Sequence, residues 1–350
     1  SLGLDLQNLS DSLPQINGFL QPHRILLPIL GRVLTVDLQI LNIVFLFLFL
    51  FGIYQFILNS TKHHIAFLFV TCIGCTMIIQ FTLIYGGYPD VLCYLFLFLT
   101  FNFKNKKFLP YIAFFFALLT KETAVFTFLF FLFLDDINKK KLTVSFLSYL
   151  PFYFYLSKGI YSPNYFLDLI LANPLHFFSQ STDKIFIGYF SSIKFLWVVL
   201  FFVIFLDRRI DFKPIVFLNI GIFSQFFLGG DTTRFVSFIF LGFLYIIEKL
   251  DRSHLSKIVK ILLVVLFLNI FTPKYYVFAY RAKTPGIAYD VHPLVAVTEV
   301  FQWGFRGLNY HWGEIRQYTF PEVIGGLYEV DEMELRDLRT IPFVKIVLNS

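Results

Sequence analysis

The residues of this chain best suited to chemistry are isolated ions in apolar surroundings. Thr120-Lys121-Glu122 sets two opposite charges side by side in the middle of Phe108–Leu134, a stretch otherwise almost wholly apolar. A buried charge pair of this kind costs about several kcal/mol unless it is paired or solvated, so such residues are functional candidates. Gly229-Gly230-Asp231-Thr232-Thr233-Arg234 joins glycine turns to a cap-capable acid and an arginine that enters the next helix. A cation in a first helical turn opposes the macrodipole, so Arg234 needs an anion, either Asp231 or a ligand. Tyr85-Gly86-Gly87-Tyr88-Pro89-Asp90 has the same form, and helix capping alone accounts for Asp90. Nearer the N-terminus, Arg24 opens a short amphipathic segment suited to the membrane surface, where an arginine either snorkels or holds a phosphate. Asp5 and Asp11 lie in a polar stretch that ends near Pro22, and either could serve as a general base. Together these residues amount to cations that can hold an anion and carboxylates that can orient them or take a proton.

The elements that must position them are apolar helices. The chain has 350 residues, is 57% hydrophobic and 15% charged, and carries 50 Phe. No soluble domain hides that much apolar surface. Leu38–Leu58, Ile65–Ile84, Ile187–Leu206 and Ile215–Leu228 have or approach the ~20 residues that cross a hydrocarbon core. A transmembrane β-barrel would alternate apolar with polar residues, and these runs are apolar all round. The expectation is an all-α polytopic membrane protein. Its net charge of +6 comes in large part from lysines and arginines in short loops beside apolar runs, which speaks for membrane topology and against nucleic acid.

Read in order, Lys62, Lys104, Lys106 and Lys107, Lys139 to Lys141, Arg208, Arg209 and Lys213, and Lys249, Arg252 and Lys257 fall on one face, the cytoplasmic one. Lysines at both ends of Phe108–Leu134 require that stretch to go in and come back. Its arms of about twelve residues are about 18 Å long, too short for two ordinary spans, so a broken or re-entrant hairpin with its tip at Lys121 is expected. The organisation is then an extracytoplasmic loop with an interfacial helix (1–37), a transmembrane helical domain (38–272) and a small extracytoplasmic C-terminal appendage (273–350), α+β in character. Ser1 in place of Met, with no basic region and apolar stretch after it, points to a first span upstream. Cys72 and Cys75 have a CxxC spacing without a second ligand pair nearby, which argues against a metal there.

The segment Arg24–Pro28, the Gly-Tyr-Pro-Asp turn ending in Asp90, Ala117-Leu-Leu-Thr-Lys-Glu-Thr-Ala124 and Gly-Gly-Asp-x-x-Arg at 229–234, in this order, resemble the GT-C superfamily of polytopic glycosyltransferases. The likeness covers about residues 5–270. It implies a GT-C-like helical bundle that moves a sugar from a polyprenyl-phosphate donor to a glycan, lipid or protein hydroxyl on the extracytoplasmic side. It also places the catalytic acid in the first outer loop, which makes Asp5 or Asp11 the base, although that loop here lacks a paired acidic motif. Lys121, Arg234 and Arg24 would then hold the lipid phosphate, with Asp90, Glu122 and Asp231 orienting these cations or the acceptor. No cofactor is certain from the sequence and a metal requirement is open, since acids from separate loops could meet around a divalent ion. The alternatives are a polysaccharide polymerase or ligase, a transporter or flippase, and a non-enzymatic subunit of an envelope complex.

Overall fold

Leu- and Phe-rich runs satisfy their backbone within helices while their side chains seek apolar neighbours, and the described residues are accordingly mostly helical. The computed structural model describes residues 26–36, 38–76, 78–79, 89–156, 188–207, 210–225, 232–271, 276–278 and 281–283. Its helices are α1 (Leu26–Leu34), α2 (Leu38–Leu58), α3 (His63–Gly74), α4 (Asp90–Asn102), α5 (Leu109–Thr120), α6 (Phe128–Leu132) and α7 (Lys139–Leu156). They continue as α8 (Leu196–Leu206), α9 (Lys213–Gln225), α10 (Thr232–Val236), α11 (Phe240–Lys249) and α12 (Leu255–Phe271). Two short strands, β1 (Tyr276–Phe278) and β2 (Arg281–Lys283), pair antiparallel, and β1 lies beside α10. The rest of the expected appendage, 284–350, lies outside the described residues.

Three apolar runs differ from the continuous spans expected of them. Helix α3 stops at Gly74, where the Thr76 hydroxyl donates to the Ile73 carbonyl at 2.6 Å and competes with the helical ladder. The run 187–206 is interrupted at Lys194, whose φ of 48° is left-handed and ends one helical stretch (188–193) before α8 begins. Helix α9 starts earlier than expected, with Pro214 in its first turn and the Lys213 N–H donating to the Asp211 carboxylate at 3.0 Å, and among the described residues it runs to Gln225. Only Ile40–Leu58, among the described residues, is long and apolar enough to cross a membrane by length and composition.

The expected broken hairpin forms. Helix α5 ends at Thr120, Lys121 is extended (φ −155°, ψ 118°), and the chain resumes as a 3₁₀ segment, Glu122–Thr127, before α6. The return is fixed at the far end, where the Tyr111 hydroxyl accepts from the Asn138 N–H at 2.9 Å and the Tyr111 carbonyl accepts from the Ser145 hydroxyl at 2.7 Å.

Helix α4 is the axis of the core and packs against α2, α5 and α11. Aromatic edges lock these helices: Phe49 of α2 meets Phe240 of α11 edge-on at 5.2 Å, and Tyr94 of α4 meets Phe238 edge-on at 5.8 Å. Lower down, Phe101 stacks at 6.2 Å on Phe130 of the hairpin's return arm. The outer surface is apolar too. Phe47, Phe51, Phe67, Phe154, Val33 and Phe267 are all exposed, each by 60% or more.

Candidate functional site

Charged side chains gather at the two ends of α4, which are about 20 Å apart at helical rise. At its start, Asp90 is in the first turn, one residue inside the cap position, which is held by Pro89. That corrects the capping reading, since the carboxylate is turned inward onto two cations. Arg234 Nη2 donates to Asp90 Oδ2 at 2.7 Å and Arg234 Nε to Oδ1 at 3.3 Å, while Lys121 Nζ donates to the same Oδ1. Among the described residues, Arg234 thus meets the anion its position calls for in Asp90; Asp231, which the sequence also offered, lies outside the described residues. Sequence separation hid this pairing, because Asp90 lies 144 residues away.

Each ion is placed by a local break in structure. Lys121 stands on the extended residue between α5 and the 3₁₀ segment, so its side chain leaves the hairpin tip. Arg234 is in the five-residue α10, tied to the next turn by the Ser237 hydroxyl donating to the Thr233 carbonyl at 2.7 Å. The ring of Phe238 lies 5.7 Å beneath the Lys121 ammonium. Asp90 and Lys121 are 1% exposed and Arg234 4%. Three ions so far from water persist only when charge and hydrogen bonds are matched in detail. Both carboxylate oxygens of Asp90 are thus engaged by the two cations.

Of the other sequence candidates, Glu122 opens the 3₁₀ segment beside the tip and is half-buried. Asp5, Asp11, Arg24 and Asp231 lie outside the described residues. Helix α1, which follows Arg24, packs Leu27 against Leu41 and Leu92, the latter two residues from Asp90. It is therefore at the same end of the bundle. Among the described residues no three His, Cys, Asp or Glu side chains stand together as a metal site would require.

At the other end of α4 the stoichiometry is reversed. Lys104, 3% exposed, binds the Glu248 carboxylate, lies 3.6 Å from Asp136 and sits 4.5 Å over the Phe101 ring. Lys141 Nζ donates to the Lys107 carbonyl at 3.0 Å, and the Tyr245 hydroxyl donates to the Asp211 carbonyl at 2.9 Å. The lysine-rich segments 104–107, 139–141 and 213 and 249 thus share one end, away from Asp90, Lys121 and Arg234.

Sequence reasoning missed three buried polar residues. Lys104 reads as a solvated loop lysine. Lys194 is fully buried, its ammonium donating to the Asn269 carbonyl at 3.1 Å, and its signal was a lone charge in an apolar run. Next to it, Ser191 Oγ lies 3.4 Å from Thr233 Oγ1, which leads back to Arg234. Gln225, the last described residue of α9, is fully buried and neither amide atom has a hydrogen-bond partner among the described residues. Nothing in its local sequence marks it.

No protein-family model, no curated protein and no solved structure matches this chain.

Proposed function

We propose that the chain is an integral, multi-pass membrane glycosyltransferase of the GT-C kind, moving a sugar from a polyprenyl-phosphate carrier to an acceptor hydroxyl on the extracytoplasmic face. The observation that carries this reading is the convergence of Lys121 and Arg234 on Asp90 from three separate segments. A lipid phosphate is already a good leaving group, so the protein's first task is to hold it with fixed cations, and a paired ammonium and guanidinium suit that task. Two further features support a membrane setting: the exposed apolar exterior, and lysine-rich segments that share the end opposite the ion cluster.

In this reading the acceptor oxygen bonds to the anomeric carbon as the bond from that carbon to the phosphate oxygen breaks. The hydroxyl proton passes to Asp5 or Asp11, and direct attack inverts the anomeric centre. Lys121 and Arg234, with Arg24, stabilise the departing lipid phosphate, and Asp90, Glu122 and Asp231 orient cations or acceptor. No metal is needed for these steps.

A transporter is the second reading, favoured by the break at Lys194. Two apolar stretches are each interrupted at a buried lysine, as in carriers with paired broken helices. Purified protein in liposomes with a radiolabelled polyprenyl-phosphate sugar separates the two. The transferase reading expects label on acceptor, lost in Lys121→Ala with Arg234→Ala. Label crossing the bilayer on an unchanged donor supports the carrier, and equal transfer by wild type and the double variant removes the site.

A further inference from the structure

Glutamine amides are rarely left without partners in a protein interior, because a buried polar group with no hydrogen bond costs about 1–3 kcal/mol. Gln225 is fully buried, and among the described residues neither its Oε1 and Nε2 nor the Oγ1 of Thr123, also buried, has a hydrogen-bond partner.

The two side chains are brought to one level by the packing of α9 against the hairpin's return arm. Phe217 of α9 stacks on Phe133 at 3.6 Å with the rings nearly parallel (3°). One turn further on, Gly221 backs so closely onto the hairpin that a Cβ there would overlap the carbonyl oxygen of Phe126. As α9 ascends from 217 to 221 its neighbour therefore descends in number from 133 to 126, and the two run antiparallel. Gln225 is one α-turn beyond Gly221 on the same face, a rise of about 6 Å. Thr123 is one 3₁₀ turn before Phe126 on the same face, also about 6 Å away. The amide and the hydroxyl thus come level where the hairpin tip carries Lys121, two residues from Thr123.

We infer that Gln225, with Thr123, reads the hydroxyl groups of the donor sugar beside the phosphate-holding cations. This rests on the transferase reading above. An amide offers two donors and an acceptor, a threonine hydroxyl one donor and an acceptor, and together they match adjacent sugar hydroxyls better than any apolar or purely anionic group. A ligand lacking those hydroxyls leaves the site's polar atoms unmatched, so discrimination is strong.

The test measures affinity of purified protein in detergent for a short-chain polyprenyl phosphate and for a panel of its glucosyl, galactosyl, mannosyl and arabinosyl esters. It also measures thermal unfolding of the ligand-free protein. Wild type is expected to bind one sugar ester at least tenfold tighter than the bare phosphate. Gln225→Leu is expected to bind both equally, to keep its affinity for the bare phosphate and to unfold at a higher temperature without ligand. Thr123→Val, which alters less volume, should show a smaller loss in the same direction. If wild type binds the bare phosphate but prefers no sugar ester, the Gln225 assignment is overturned while the phosphate site stands. If wild type binds neither, the transferase reading fails and the inference with it. A lower unfolding temperature for ligand-free Gln225→Leu overturns the claim that the amide awaits a ligand.

Discussion

The two ends of α4 hold mirror-image ion clusters, and their difference lies in access to water. At one end, among the described residues, one carboxylate, Asp90, is shared by two cations, and all three groups are at most 4% exposed. At the other a single cation, Lys104, serves two carboxylates, of which Asp136 is 40% and Glu248 28% exposed. The second arrangement tolerates loss of its central ion, the lysine, because water can reach both carboxylates. The first does not, since no solvent reaches the remaining charges. A protein that needed only to tie its helices together would be served by the Lys104 arrangement at both ends. Sealing three charges away at the Asp90 end is a costly construction, consistent with a place where charge must stay fixed for an anion.

Removing the central group of each cluster gives the sharpest contrast. Asp90→Asn removes the carboxylate that both buried cations share and should lower stability by about 3–5 kcal/mol, read as thermal unfolding in detergent. If it costs no more than the equivalent change at Lys104, the two clusters are alike and the contrast fails. Next in size is Gly221→Ala, which forces a methyl into the Phe126 carbonyl, pushes the hairpin tip from α9 and should cost about 1–3 kcal/mol. Sugar transfer should fall further than stability alone explains, because Lys121 shifts with the tip. Lys104→Met should change stability by less than about 1 kcal/mol, since its carboxylates can turn to water. The smallest effect is expected at a backbone position that belongs to neither cluster. Thr35, a β-branched residue at φ 53°, closes α1 where the Val36 N–H donates to the Gly31 carbonyl at 3.1 Å. Thr35→Gly should stabilise by up to about 1 kcal/mol and leave transfer unchanged.

Much of the helical architecture and part of the site were legible from local chemistry. Lys121 announced itself as a charge where apolar residues surround it, and the lysines flanking Phe108–Leu134 implied that this stretch must turn back. Arg234 showed that it needed an anion because its position in a helix is electrostatically wrong. The anion itself was not legible. Asp90 has an adequate local explanation as a cap, and only the packing of α10 against the start of α4 reveals its partners. Lys104 stands among other lysines and so reads as solvated, although the fold buries it over Phe101. Lys194 obeys the same rule as Lys121 yet sits in a run that reads as one continuous span. Its ammonium meets the Asn269 carbonyl, 75 residues away, a contact that only the fold reveals. Gln225 could not be found at all from its neighbours, because an unpartnered amide is a property of a folded interior.

The claim that Lys121 and Arg234 together hold an anionic lipid is tested most directly by titrating a short-chain polyprenyl phosphate into folded wild type and Arg234→Lys. Lysine keeps the charge but loses the forked geometry, so an affinity about tenfold weaker is expected. Undiminished affinity in the variant would contradict a lipid-phosphate site at this arginine.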